Sequence, residues 1–185
     1  MPSVGDCRDL NLKTSFRIVS VASPRGRFSA DEIRACNKPE VIALEFIIGT
    51  GRDGIREQSN LQFMTATRRD PAGTVHPSRV HFREGVGERR TVAKRLPMSE
   101  LSLRPHQLAL EDLRSITLRF WSGSTGAAFE QGDQWDLAAL TIRAHMQAMD
   151  GSTHTKDIYR HEGPPHHFDS DDSWEITFPE PVFGE

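Results

Sequence analysis

Two cysteines, Cys7 and Cys36, are all that 185 residues contain. That is no disulfide framework: the two form a single bridge if the fold brings them together, and otherwise stay reduced thiols. Long apolar runs are missing too. The longest, Val41–Ile48, is interrupted by Glu45 and falls far short of the roughly 20 apolar residues of a membrane-spanning helix. Residues 1–12 show no basic stretch leading into an apolar one, so no secretory signal is visible. A soluble chain without a transmembrane segment is expected, cytoplasmic or exported by a non-Sec route. Helical periodicity is scarce, and neither a Gly-x-Ser-x-Gly turn nor a phosphate-cradling glycine loop ending in Lys-Ser/Thr occurs, which removes the commonest signatures of a serine hydrolase and of a P-loop nucleotidase.

What is present is ordinary globular composition, 36% apolar and 26% charged, in a length that suits one domain. A single domain over residues 1–185 is expected, with 1–13 and 146–172 irregular. The net charge of -3 is unevenly spread: about +1 over residues 1–51, +5 over 52–104 and -9 over 105–185. Interleaved in a compact fold, such segments pair with one another and give no net field for a polyanion. No specific nucleic-acid partner is expected.

Short apolar segments with period-two alternation, punctuated by Gly, Pro, Asp and Asn, predict β structure. The candidates are Thr14–Ala22, Val41–Ile48, Asn60–Arg68, Ser78–Arg83, Arg89–Leu96, Ile116–Trp121, Trp135–His145, a weak segment near Thr155–His161, and Ser173–Phe178. Val41–Ile48 is apolar enough for a strand in the middle of a sheet or buried on both faces. Glu84–Glu88 reads as a hairpin, Ser29–Cys36 as a short helix capped by Ser29, and Ala109–Leu113 as one helical turn. Eight or nine strands with uneven connections predict an all-β fold, an antiparallel β-sandwich of jelly-roll-like type with one or two short helices.

In such a fold chemistry sits on the end loops. One loop, Gly51–Asn60, leaves the core strand; another, Gly132–Asp136, enters a later one. If those strands are antiparallel neighbours, both loops share one rim, with Asp53, Glu57, Asp133 and Asp136 near Arg56 and Trp135. The pieces Thr50-Gly51-Arg52-Asp53-Gly54-Ile55-Arg56-Glu57-Gln58-Ser59-Asn60, Leu110-Glu111-Asp112-Leu113-Arg114-Ser115-Ile116 and Gly132-Asp133-Gln134-Trp135-Asp136-Leu137-Ala138-Ala139-Leu140-Thr141-Ile142, in that order, resemble bacterial β-sandwich modules of the PLAT/LH2-like type, over roughly Val41–Ala144. The resemblance implies a non-catalytic module, often toxin-associated, that binds lipid, glycan or protein, in some members with calcium. Arg52 stands where several such modules look acidic.

Asp53, Arg56, Ser59, Asn60 and Trp135 are the candidate ligand-binding residues. Calcium takes six to eight oxygens, several from carboxylates, and Asp53, Asp133 and Asp136 with loop carbonyls are the candidate set. The structural alternative is an Asp53–Arg56 ion pair pinning the loop, with Trp135 plugging the core. Two readings from other classes remain: a hydrolase with a cleft between the sheets, and a toxin component or inhibitor that meets another protein through an edge strand. The run His161–His167 holds zinc-type ligands, but its two prolines keep it extended, favouring a solvated loop. Arginines at 52, 56, 68, 69, 79, 83, 89, 90 and 95, with Phe63 or Phe82 nearby, form either a basic face for an anionic partner or a solvated strand face.

Overall fold

The computed structural model describes residues 22–23, 26–27, 39–68, 75–97, 108–122, 134–148 and 151–179. Its strands are β1 (Ala22–Ser23), β2 (Gly26–Arg27), β3 (Glu40–Thr50), β4 (Ser59–Thr67), β5 (Val75–Phe82), β6 (Thr91–Pro97), β7 (Leu113–Trp121), β8 (Trp135–Gln147), β9 (Thr153–Phe168) and β10 (Ser173–Thr177). Two antiparallel four-stranded sheets, β6-β3-β8-β9 and β10-β7-β4-β5, form a β-sandwich, and β1 pairs with β2 as a separate two-stranded sheet. The fold is an all-β antiparallel sandwich, as the alternation predicts. The helix expected at Ser29–Cys36, both cysteines and most of the strand expected at Thr14–Ala22 lie outside the described residues.

The apolar run Val41–Ile48 is a mid-sheet strand, paired with β6 on one side and β8 on the other. It is buried on one face: Val41, Leu44, Phe46 and Ile48 point inward, while Glu45 and Ile47 are half-buried outward. Facing it across the sandwich are Leu61, Phe63, Ile116, Leu118 and Phe120, all fully buried, and the rings of Phe46 and Phe63 stack with centroids 3.8 Å apart, tying the two sheets together. The expected helical turn is a 3-10 turn, Leu110–Asp112, whose Asp112 carboxylate accepts the Ala109 N–H at 3.1 Å.

Three expectations are corrected. Glu84–Glu88 is no hairpin, because β5 and β6 lie at the edges of different sheets and the segment arches from one to the other. Alternation on both flanks looks the same whether two strands pair or face each other across a core. The weak strand segment expected near Thr155–His161 is the middle of the longest strand, Thr153–Phe168, and the His161–His167 run, expected to be a solvated loop, belongs to it; its hydrogen bonds come from β8, and the register breaks opposite Leu137–Ala139 let the chain pass Gly163-Pro164-Pro165 as a bulge. Phe63 and Phe82 are core residues rather than companions of surface arginines, because the inward face of a strand is where large aromatics are accommodated.

Candidate functional site

Register puts the ends of β3, β5, β7 and β9 and the starts of β4, β6, β8 and β10 at one end of the sandwich, where the described arches β3–β4, β5–β6 and β9–β10 cross between the sheets. The two loops singled out in the sequence are neighbours there. Gly51 N–H donates to the Asp136 carbonyl at 2.8 Å, Asp136 N–H donates to the Asp53 carbonyl at 3.2 Å, and Arg52 N–H donates to Asp136 Oδ2 at 3.2 Å. Gly51 has to be glycine for this approach: a Cβ there would lie 2.6 Å from Asp136 Cβ.

On its other flank the 51–58 arch meets the 83–90 arch. Ile55 and Val86 exchange both backbone hydrogen bonds, at 2.9 and 2.7 Å, and Arg89 N–H donates to the Gly51 carbonyl at 2.9 Å. Thr50 Oγ1, buried, accepts the Arg90 N–H at 2.9 Å and donates to the Gly87 carbonyl at 2.7 Å. Between the arches opens a cleft of about 740 Å³ whose charged lining is Asp53, Arg56, Glu57, Glu84, Glu88 and Arg90. Its 83–90 wall carried no signal in the sequence, since it read as the tip of a hairpin.

The candidate residues separate. Asp53 and Arg56 line the cleft. Ser59 and Trp135 are 0% exposed, so a ligand on the outside reaches neither, and Trp135 takes the part of core plug: its indole stacks on Phe168 at 5.1 Å and leans on Phe120 at 5.9 Å. Asn60 lies on the outward sheet face, where its Oδ1 is 3.2 Å from His81 Nδ1. Asp133 lies outside the described residues.

Asp136 has a partner that sequence reasoning missed. Its Oδ1 lies 2.9 Å from His167 Nδ1, the two being register partners across β8 and β9. The hydrogen bond from His167, helped by the backbone N–H groups of the 51–53 arch, holds the Asp136 carboxyl below the usual carboxylate range against the opposing effect of burial. The same bond pushes the His167 imidazole up from its ordinary value. The signal was available only as pairing: Asp136 and His167 share a rung once β9 is recognised as a strand.

This geometry bears on two expected chemistries. Asp136 Oδ1 is engaged by the His167 imidazole and its Oδ2 by the Arg52 N–H, so a cation there would have to displace both, and among the described residues no group of three or more His, Cys, Asp or Glu side chains is placed to hold a metal ion. The Asp136–His167 pair has two members of a hydrolytic triad, but the other ring nitrogen faces Asp169 at 3.8 Å, where a nucleophilic hydroxyl would have to stand.

His161 and His166 do converge. The bulge turns both rings inward onto Trp174, His166 stacked at 5.0 Å and His161 edge-on at 5.2 Å, and the Nε2 atoms of both are buried with no hydrogen-bond partner among the described residues. Burial pushes the His166 imidazole down, with Asp172 opposing it.

No family model matches the sequence, and no curated protein matches it. Of the resemblance to PLAT/LH2-like modules, what the structure shows is the β-sandwich. Among solved structures, the chain is similar to Clostridium perfringens alpha-toxin from avian strain SWCP, with 16% identity and a TM-score of 0.47, over 76% of this chain and 32% of that one. At that level the likeness carries no functional information, and this chain spans about a third of the other's length.

Proposed function

We propose that the chain is a non-catalytic binding module that recognises a protein partner through the cleft between the 51–58 and 83–90 arches. The observation that supports this most is the cleft itself: about 740 Å³ of open space, set at the end of a rigid sandwich and lined by four carboxylates and two guanidiniums. Carboxylates in excess, with Arg56 and Arg90 among them, suit an extended polypeptide segment that carries a basic side chain beside a hydroxyl or acidic one. The floor is held by the Ile55–Val86 bridge and the Thr50 hydroxyl, so the wall side chains project from a fixed backbone and little order has to be gained on binding.

An array of immobilised peptides tests this with the full chain. The expected result is binding enriched in peptides containing Lys or Arg, lost when Glu57→Lys and Glu84→Lys are introduced together and retained in Lys156→Glu on the far edge strand. Absence of any bound peptide, or binding that survives the double variant, overturns the proposal.

A further inference from the structure

The outward face of the β10-β7-β4-β5 sheet carries a polar platform that is independent of the cleft. Strand alternation sends Leu61, Phe63, Leu118, Phe120, Val80 and Phe82 into the core, and so presents the residues between them outward. Register places Arg119, Gln62 and Arg79 in one row across three adjacent strands, and Trp121, Asn60 and His81 in the next. The two guanidinium carbons lie 4.7 Å (Arg119) and 5.2 Å (Arg79) from the centroid of the Trp121 ring. Attraction to one indole holds two like charges close that would otherwise move apart. Below them His81 is fixed by Asn60 at 3.2 Å and Gln58 at 3.0 Å.

The platform has capacity left over. Arg119 reaches Asp171 at 3.3 Å, whereas Arg79 has no ion pair and the Gln62 amide no hydrogen bond with any described residue. Arginine presents a planar fork of donors that matches a carboxylate in two parallel hydrogen bonds, and an amide donates and accepts at once, as a sugar hydroxyl does. Strands two apart lie about 9.5 Å from each other, comparable to the span of two linked pyranose rings.

We propose that this face binds an acidic oligosaccharide whose pyranose rings carry carboxylates. Arg79 pairs with one carboxylate, Gln62 exchanges hydrogen bonds with ring hydroxyls, and the half-exposed Trp121 packs against ring C–H groups while keeping both guanidiniums in place. A bilayer is disfavoured because the centre of the platform is amide and guanidinium, and its one aromatic ring among the described residues, Trp121, is half-buried with both guanidiniums over it. A nucleic-acid duplex is disfavoured because Asp171 and Glu175 border the platform and would meet its closely spaced phosphates.

The test is titration of the full chain with oligogalacturonate, with its methyl ester, which has the same rings without the charge, and with vesicles of phosphatidylserine and phosphatidylcholine. The expected result is saturable binding of the acid, weakened at least tenfold by Arg79→Gln and at least fivefold by Gln62→Ala, unchanged by Arg95→Gln on the opposite sheet, with little binding of the ester or the vesicles. Melting of each variant at the wild-type temperature shows that the loss is local. The proposal is overturned if the acid does not bind, if Arg95→Gln weakens binding as much as Arg79→Gln, or if vesicles bind as tightly as the acid. The cleft variants Glu57→Lys and Glu84→Lys leave oligogalacturonate affinity within twofold of wild type, so the two proposals fail separately.

Discussion

His166 and His167 are adjacent in β9 and point to opposite faces: His166 stacks on Trp174 at 5.0 Å, and His167 Nδ1 sits 2.9 Å from Asp136 Oδ1. Alternation along a strand thus gives two neighbouring imidazoles opposite environments, and their pKa values move in opposite directions.

The Asp136–His167 pair makes rim stability depend on pH from two sides. The raised His167 contributes stability that is fully present below 6.5, its ordinary value, and is lost as pH rises through its raised pKa. The lowered Asp136 contributes stability present above 3.8 and lost as pH falls through its lowered pKa. The difference between wild type and His167→Gln is expected to peak between those limits at about 0.5 kcal/mol, since His167 is half-exposed and solvent screens the pair. Urea denaturation across a pH series checks it; a difference that does not vary with pH contradicts the pairing.

His166 works the other way. Its folded-state pKa is pushed down, so its contribution is complete above 6.5 and is lost as pH falls below it. His166→Phe keeps the stacking on Trp174 and removes the titrating group, so the variant is expected to gain on wild type as pH is lowered from about 7 to about 5. Parallel melting curves at the two pH values measure this.

Gly54 brings the two cleft arches together. A Cβ there would lie 2.3 Å from the Val86 carbonyl oxygen and 2.9 Å from the Gly87 carbonyl carbon, both backbone atoms that cannot swing away. Gly54→Ala is expected to cost about 1–3 kcal/mol. Gly87→Ala, whose Cβ would make only an ordinary 3.6 Å contact with Arg90 Cγ, is expected to stay within about 0.5 kcal/mol of wild type. Denaturation midpoints of the two variants decide.

Trp135 contributes through its bulk. Its Nε1 is buried with no hydrogen-bond partner among the described residues, while its ring packs between Phe168 and Phe120. Trp135→Ala is expected to cost about 3–5 kcal/mol, and Trp135→Phe markedly less, because the smaller cavity comes with removal of an unpaired donor. Equal losses in the two variants would contradict a contribution through bulk.

Thr65, fully buried, likewise has a hydroxyl with no partner among the described residues. Thr65→Val preserves the shape and is expected to stabilise by about 1 kcal/mol, measurable as a rise in melting temperature.

Much of the strand inventory was legible because alternation and turn residues are local signals: β3, β4, β7, β8 and β10 fall where the apolar residues predict them. β9 was legible only as a weak segment near Thr155–His161: its inward residues include Tyr159, His161 and His166, which do not register as apolar, and its extension to Phe168 was hidden because two prolines argued against a strand that the bulge in fact accommodates. The neighbourhood of Asp53 and Asp136 followed from antiparallel pairing of β3 and β8. The 83–90 wall of the cleft did not, since which sheet a strand joins is decided by packing across the core.

By itself the sequence determined the all-β class, the strand in the middle of its sheet and the loops that leave and enter at residues 51 and 134, because period-two burial and glycine-permitted turns are written in consecutive residues. Only the tertiary structure decided that Trp135 faces inward, that Asp136 meets His167, and that Arg79 and Arg119 share Trp121. Each of those depends on register between strands distant along the chain, and register is set by how two apolar faces pack together.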